Sequence, residues 1–307
     1  MLDVRRLRVL REVARQGSFS GAAEALGYTQ PAISRHVATL EAETGAVLVT
    51  RVARGARLTD AGEVLVRHAD TVLAQLEEAE AELRAVVGLQ GGQLRLATFS
   101  SAGGSIVPLA IARFREAYAG VELHVEIVEG EEAFVRLRAG EIDVALSNLA
   151  EALEDDGIDR RWLFDDPMYV ALPRGHALAD RPVVRLRQLA GEQWMLASTR
   201  TCPDAAMFRR ACHAAGFEPR VAFENDDYNA ILGFVAAGVG VALIPDLIAR
   251  RVREDVVVRS LGARAPVRRI VAATRSGYRS PSVAAMLDVL ADVGARWVAA
   301  GDVGESS

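Results

Sequence analysis

The sequence predicts an α/β protein in three parts: a small helical N-terminal domain, one long helix, and a larger domain of strands and helices. Three observations support this division. Residues 1–58 contain short apolar helix patterns separated by glycine, no Pro or Gly interrupts the chain between Gly62 and Gly88, and residues 93–307 alternate short apolar runs with amphipathic segments. A chain of 307 residues is long enough for this organisation, because a typical domain has about 150 residues.

Charge is distributed unevenly along the chain. Residues 1–58 contain nine Arg and five acidic residues, which gives +4, so a net charge of −5 leaves −9 on residues 59–307. A basic N-terminal part favours a module that binds a polyanion. The sequence has no run of about 18 apolar residues and no secretory signal core. We therefore expect a cytoplasmic protein that does not associate with a membrane.

Two short helices joined by a tight turn are expected within residues 18–41. Ser18 or Ser20 can cap the first helix, and Gly27 and Tyr28 interrupt its pattern. The second helix starts near Thr29, and its apolar face consists of Ile33, Val37 and Leu40. Two helices joined by about three residues that include Gly are typical of a helix-turn-helix motif.

The opposite face of the second helix is predicted to contact DNA. In this motif the N-terminal residues of the second helix reach base edges in the major groove. Gln30 can hydrogen bond an adenine edge, and Ser34 and Arg35 can contact a base or a phosphate. The alternative is an ordinary surface helix, but VLVTRVARGARLT at 47–59 predicts an adjacent hairpin, or wing, with arginines for a phosphate backbone. The predicted DNA-binding residues are Thr29, Gln30, Pro31, Ser34, Arg35, Arg54 and Arg57.

One long helix is expected over residues 60–89. Its apolar residues recur at alternating spacings of four and three, at Leu65, Ala69, Val72, Leu76, Ala79, Leu83 and Val86. That spacing is typical of a coiled coil. Because a helix-turn-helix protein that binds DNA as a dimer needs its partner at a fixed distance, we predict a dimer interface. Its residues are Leu65, Val72, Leu76 and Leu83. The alternative is an amphipathic helix packed on its own domain.

The C-terminal part contains nine strand candidates with helices between them. The strand candidates are 93–98, 121–129, 143–147, 168–173, 194–198, 220–224, 240–245, 255–260 and 268–274, and the helix candidates are 105–118, 131–139, 203–215, 227–237 and 280–300. This alternation predicts α/β layers with ligand sites at the C-terminal ends of strands. Gly91 and Gly92 mark a hinge after the long helix. The predicted domains are therefore 1–58, 59–89 and 90–307.

The stretch FSGAAEALGYTQPAISRHVATLEAETGAVLVTR, followed by RGARLTDAG, resembles the DNA-binding domain of LysR-type transcriptional regulators. The resemblance runs from about residue 2 to residue 63. Val49 departs from the family pattern, which has a buried aromatic residue there, so local packing is expected to differ. The later stretches GEIDVALSN and FENDDYNAILGFVAAGVGVALIP resemble the effector-binding half of the same family.

This resemblance implies two lobes with a cleft between them, similar in fold to periplasmic solute-binding proteins. Lobe I would contain about 90–165 and 267–307, and lobe II about 166–266, with chain crossings near 165–168 and 264–268. The resemblance also implies double-stranded promoter or operator DNA and a small-molecule effector as partners. It further implies a homodimer or a dimer-of-dimers tetramer.

Polar residues follow four of the expected strands, and they are the predicted effector-binding residues: Ser100, Ser101, Asn148, Thr199, Thr201, Cys202 and Asn225. The resemblance places Ser100 and Ser101 at the family's commonest effector position. Any one of these residues is more often a helix cap, but four strand ends that converge on one cleft favour a ligand. None is charged, so neutral hydrogen bonds and helix N-termini would hold a small anionic metabolite.

Two other functions have some basis in the residue content, catalysis and thiol-based sensing. The five His residues are scattered without metal-ligand spacing, and no Gly-x-Ser-x-Gly elbow occurs, so we expect neither an enzyme nor a metal or other cofactor. The alternative is a thiol-based redox sensor that uses Cys202 and Cys212. These cysteines lie near the redox pair of peroxide-sensing members of the family, but nine residues separate them instead of eight, and Thr201 replaces the family's His.

Overall fold

The computed structural model describes residues 2–52, 55–86, 92–148, 157–197, 203–225, 227–278 and 280–301. The chain divides into two compact units, of which the first reaches Leu83 and the second contains most of the chain from Arg84 on. The predicted class, α/β with a helical winged N-terminal domain and a two-lobed C-terminal domain, is confirmed. Within the described ranges, no helix has both the length and the apolar character to cross a bilayer.

The described residues up to 86 form four helices and a hairpin, and the last helix ends three residues beyond the first unit: α1 (Val4–Gln16), α2 (Phe19–Leu26), α3 (Gln30–Thr44), β1 (Val49–Val52), β2 (Gly55–Leu58) and α4 (Asp60–Val86). Capping side chains start the first two helices. The Asp3 carboxylate accepts hydrogen bonds from two N–H groups of α1, and the Ser18 hydroxyl accepts one from Gly21 at 3.0 Å. Gly27, with φ of 66°, ends α2 in the left-handed conformation that forms the tight turn.

The core of the first unit joins α1, α2 and α3 to the wing. Leu10, Ile33 and Leu40 have no exposed surface. The face of α3 that carries Ile33 and Leu40 therefore packs in the core, and its opposite face is turned away from the core. Val49 is 9% exposed and lies in this core, at the position where the sequence departs from the family's aromatic pattern. Val4, the first residue of α1, lies at the edge of this core and is 38% exposed.

The wing is tied to the helices on both sides. The carboxylate of Glu41, on α3, accepts hydrogen bonds from the N–H groups of Leu48 at 2.8 Å and Val49 at 3.2 Å. At the other strand, the N–H of Ala56 donates to the carbonyl of Gly17 at the end of α1, at 2.7 Å. The position of the wing is therefore fixed relative to the helix-turn-helix.

The second unit is built on a mixed sheet. Its described strands are β3 (Gly92–Thr98), β4 (Val121–Ile127), β5 (Val144–Ser147), β6 (Ile158–Pro173), β7 (Gln193–Ala197), β8 (Arg220–Asn225), β9 (Val241–Pro245), β10 (Val256–Ser260) and β11 (Val267–Arg275). Its described α-helices are α5 (Ser100–Gly103), α6 (Ile106–Ala117), α7 (Glu131–Arg138), α8 (Pro203–Ala214), α9 (Tyr228–Ala236), α10 (Asp246–Ala249) and α11 (Pro281–Ala299). The strand order is β4-β3-β5-β11-β6-β9-β7-β8, and β10 also pairs with β6.

The strand β6 belongs to both lobes. Its first half pairs antiparallel with β11 in lobe I, and its second half pairs antiparallel with β9 and β10 in lobe II. The apolar pattern predicts a strand only at 168–173, and the resemblance implies a crossing between the lobes near 165–168. The longer strand was missed because Asp165 and Asp166 interrupt the apolar pattern in its middle. The lobes are therefore joined through one continuous strand and its neighbour β11.

Candidate DNA-binding surface and effector site

The N-terminal end of α3 presents most of the predicted DNA-binding residues to solvent. Thr29, Gln30, Pro31 and Arg35 are exposed, and Ser34 is half-buried. Thr29 is the N-cap residue by its backbone conformation, but its side chain makes no capping hydrogen bond. Since the opposite face of α3 is buried in the core, these residues form the outward face of the helix.

The wing adds one described basic residue to this surface. Arg57 lies on β2 and is exposed, and its register partner on β1 is Thr50. Arg54, which was also predicted to contact DNA, lies outside the described residues. An exposed guanidinium on a short hairpin beside a helix-turn-helix is suited to a phosphate contact.

The predicted dimerisation residues of α4 fall into two groups. Leu65 is half-buried and packs against the core of the first unit together with Ala69, which has no exposed surface. Val72, Leu76 and Leu83 are 41%, 43% and 64% exposed. The start of the helix thus follows the alternative of packing on its own domain. The later residues form an exposed apolar stripe, defined here as Val72, Leu76 and Leu83.

A buried ion cluster lies where the two lobes meet. Arg268 is on β11 and faces Asp166, its register partner on β6. Ser101 comes from α5 and Asn148 follows β5, both in lobe I, whereas Asp204 comes from the first turn of α8 in lobe II. We name these five residues the Arg268 cluster.

The guanidinium of Arg268 holds the cluster together. Its Nε donates to Asp166 Oδ2 at 3.0 Å, its Nη1 to Asp204 Oδ2 at 2.7 Å and its Nη2 to Ser101 Oγ at 3.0 Å. Nη2 also donates to Asp166. Asn148 Nδ2 donates to the second oxygen of the Asp204 carboxylate at 2.8 Å. The cluster therefore connects lobe I, lobe II and the two strands between them.

The electrostatics of the cluster follow from its burial. The side chains of Arg268, Asp166 and Asp204 are 3%, 0% and 9% exposed. Burial alone would lower the pKa of Arg268, but the carboxylates of Asp166 and Asp204 outweigh this effect and raise the pKa above its usual value. Burial raises the pKa of Asp166, and the charge of Arg268 opposes that shift. Two carboxylates thus share one cation in a site with little solvent.

Ser100 and Asn225, the other predicted effector residues that the structure describes, make different contacts. The backbone N–H of Ser100 donates to the carboxylate of Glu129 at 2.8 Å, so an anion of the protein itself lies at the start of α5. Asn225 Oδ1 accepts a hydrogen bond from the N–H of Asp227 at 2.7 Å, which is a local turn before α9. Thr199, Thr201 and Cys202 lie outside the described residues.

Cys212 is part of the apolar core of lobe II. It has no exposed surface and packs in the same cluster as Trp194 and Phe208. Burial, with a smaller effect of Glu218, raises the pKa of its thiol to about 12. A thiol with such a pKa is almost entirely protonated at neutral pH, and the thiolate is the reactive form.

Sequence reasoning missed the charged members of the Arg268 cluster. The sequence predicted only uncharged contacts to a ligand, whereas the structure places Arg268 at the centre of this buried cluster between the lobes. One signal was present in the sequence: Arg268 stands two residues before Ile270 in the run VRRIVAATR, and alternate residues of a strand share a face. In the structure both residues are buried. The partners Asp166 and Asp204 carried no local signal that distinguished them from surface acids.

These features define a winged helix-turn-helix unit followed by a two-lobed α/β unit. A family model described as "Bacterial regulatory helix-turn-helix protein, lysR family" matches residues 4–63, and one described as "LysR substrate binding domain" matches residues 88–295. Together they account for most of the chain.

Individual relatives agree with these family matches. The chain is 33% identical over 291 residues to the probable HTH-type transcriptional regulator LrrA of Synechococcus elongatus, covering 94% of this chain and 96% of that protein. It is 31% identical over 291 residues to the HTH-type transcriptional regulator CatR of Pseudomonas putida, covering 94% and 99%. A solved structure of a full-length OxyR variant from Pseudomonas aeruginosa has the same fold, with a TM-score of 0.76, 24% identity and coverage of 96% and 95%.

The chain belongs to the LysR family of bacterial transcriptional regulators. It is a DNA-binding regulator with an effector-binding domain and not an enzyme, as the sequence predicted.

Proposed function

We propose that the chain binds operator DNA through the exposed face of α3 and the wing, and that a small anionic metabolite bound between the lobes controls its action. The observation that supports the DNA contacts is the orientation of α3. Ile33, Val37 and Leu40 are buried, so Gln30 and Arg35 project from the N-terminal half of the helix. A regulator of this kind acts on chromosomal DNA, and we place it in the cytoplasm.

Replacing Arg35 by alanine should weaken operator binding by about 1–3 kcal/mol, which is the effect of losing one contact to a base or phosphate. The fold should be unaffected because Arg35 is exposed. The measurement is a DNA-shift titration with a promoter fragment at moderate salt, together with a thermal unfolding scan.

The matched control is Arg8→Ala, which removes the same charge from an exposed position on α1. It should change operator affinity much less than Arg35→Ala does. Equal affinity of the Arg35→Ala variant and the unmodified protein would contradict the assignment of α3 as the recognition helix.

For the effector, we infer that the ligand lies between the two lobes near the Arg268 cluster. At this cluster both lobes and the strands between them contribute polar groups, and Ser101 and Asn148 are two of the residues predicted from the sequence. A ligand that binds only the native protein raises its melting temperature by mass action. A thermal-shift screen of small metabolites against the full chain therefore tests this part of the proposal.

We further propose that the exposed apolar stripe of α4 forms a two-chain coiled coil, which makes the protein a dimer or a dimer of dimers. Three large apolar side chains on one exposed helix are a surface that association would bury. The supporting observation is their exposure of 41% to 64%.

Leu76→Asp should shift the protein toward smaller species, because it places a charge within that interface. Operator affinity should fall as well, since two half-sites are then no longer bound together. Sedimentation velocity measures the first effect, and a DNA-shift titration measures the second.

The control Gln75→Asp introduces the same charge at an exposed neighbouring position outside the stripe. It should sediment like the unmodified protein. Should Leu76→Asp do so too, the stripe is not the interface between chains.

The thiol alternative rests on Cys202 and Cys212. Although three of the similar solved structures are OxyR variants, the burial of Cys212 and the high pKa of its thiol disfavour a disulfide switch that depends on its reactivity. We therefore favour the metabolite-controlled regulator.

A further inference from the structure

We propose that Arg268 recognises a carboxylate of the effector, and that this carboxylate replaces Asp204 on the guanidinium. The inference rests on the proposed function, because it specifies the ligand chemistry and the regulation of the same interlobe site. It makes Asp204 an internal carboxylate that competes with the effector.

The geometry around Arg268 suits a planar anion. A guanidinium presents its N–H donors in a rigid fork that matches a carboxylate. Here Nη1 points to one oxygen of Asp204 at 2.7 Å, and Asn148 Nδ2 donates to the other oxygen at 2.8 Å. These two donors already form a carboxylate-binding site, and a second carboxylate of similar shape can use the same donors.

The two acidic partners of Arg268 differ in how firmly they are held. Asp166 lies on β6 directly across from Arg268 on β11, has no exposed side-chain surface, and also accepts a hydrogen bond from the N–H of Leu247 at 3.2 Å. Asp204 lies in the first turn of α8, and its side chain is 9% exposed. Asp204 is therefore the partner that can exchange with a ligand.

Charge adds a reason for exchange rather than simple addition. Asp166 and Asp204 already place two carboxylates around one guanidinium in a buried site. A third anion would meet repulsion from both, and its charge would be poorly solvated. An anionic effector therefore binds Arg268 when Asp204 leaves it, and not beside Asp204.

The exchange would carry a signal between the lobes. Asp204 links α8 of lobe II both to Arg268 and to Asn148 of lobe I. When a free carboxylate takes its place, α8 loses these two bonds and lobe II gains freedom to rotate relative to lobe I. The ligand state of Arg268 would thus set the relative position of the lobes.

The test uses Asp204→Ala in the full-length chain, with acetate as the probe and acetamide as its neutral analogue of similar shape. Removing the Asp204 carboxylate leaves its donors for acetate. We expect acetate to raise the melting temperature of the variant, with an apparent affinity about tenfold higher than for the unmodified protein. Acetamide should not distinguish the two proteins, and sodium chloride at equal ionic strength controls for screening.

Two further variants make the test specific. Asp204→Asn keeps the size of the side chain, so it should fold even where alanine does not, and it should also bind acetate more tightly than the unmodified protein does. The double variant Asp204→Ala with Arg268→Met should lose the preference for acetate over acetamide. Equal responses to acetate and acetamide in both Asp204 variants would overturn the proposal.

These outcomes are separable from those of the proposed function. A metabolite that binds the unmodified protein between the lobes, combined with no acetate preference in the Asp204 variants, overturns the exchange and leaves the effector proposal intact. An acetate preference that requires Arg268 supports the exchange site even where the metabolite screen finds no ligand.

Discussion

Replacing Arg268 by methionine is expected to destabilise the second unit by about 3–5 kcal/mol at neutral pH, because it leaves buried carboxylates without their cation. Methionine keeps much of the side-chain length, so the loss reflects charge and hydrogen bonds more than a cavity. Most of the lost stability should come from Asp166, because its carboxylate is fully buried and would be left without a cation. Chemical denaturation of the full chain, followed by a probe of the second unit, measures the effect.

The same variant should show a changed pH dependence. Burial raises the pKa of Asp166 already in the unmodified protein, and removal of Arg268 should raise it further. A carboxyl group whose pKa is higher in the folded than in the unfolded state binds a proton on folding, so stability increases as pH falls. The stability lost by Arg268→Met relative to the unmodified protein should therefore become smaller as the pH is lowered from about 8 to about 5.

Arg269→Met is the matched control, because Arg269 is the next residue of β11 and is exposed. An exposed ionic side chain contributes about 0–1 kcal/mol, so this variant should remain near the unmodified protein at every pH. A deficit of Arg268→Met that stays constant from pH 8 to pH 5 would show that the carboxylates do not cause it.

Gly55→Ala is expected to destabilise the first unit by about 2 kcal/mol or more. Gly55 has φ of 129°, a conformation open to glycine and strained for alanine. A Cβ there would also lie 2.3 Å from the carbonyl oxygen of Gly17. The wing would have to move, and the hydrogen bond from Ala56 to Gly17 would be disrupted. Operator affinity should fall together with the melting temperature of this unit.

The control Gly45→Ala separates the strain of a positive φ from the clash with a neighbouring carbonyl. Gly45 also has a positive φ, 68°, but a Cβ there has open space around it. This variant should lose only about 1 kcal/mol, the usual difference for a left-handed residue without a clash. Equal losses in the two variants would mean that the approach of Gly17 to the wing does not matter.

The positions of most elements were predictable because their signals are local. The apolar spacing of Ile33, Val37 and Leu40 predicted which face of α3 is buried, and the structure buries all three. The strand at 93–98 lies within the observed Gly92–Thr98. The first half of β6 was missed because the local signal is absent there. The polar middle of the strand gives no period-two apolar pattern in the sequence.

Local patterns predicted the effector site less well. Ser101 and Asn148 do meet, but they meet through Arg268 and Asp204 rather than around uncharged groups alone. Asn225 follows the alternative explanation of a local turn. A polar residue after a strand is favoured both by turns and by ligands, so the sequence signal is the same for either role.

The sequence by itself determined the helix-turn-helix, the family resemblance and the alternation of strands and helices, because capping, helix periodicity and strand propensity act between near neighbours. The tertiary structure alone decided the charged centre between the lobes. Arg268 is 102 residues from Asp166 and 64 residues from Asp204. Only the pairing of β6 with β11 and the placement of α8 bring these charges together, and their burial then makes each one depend on the others.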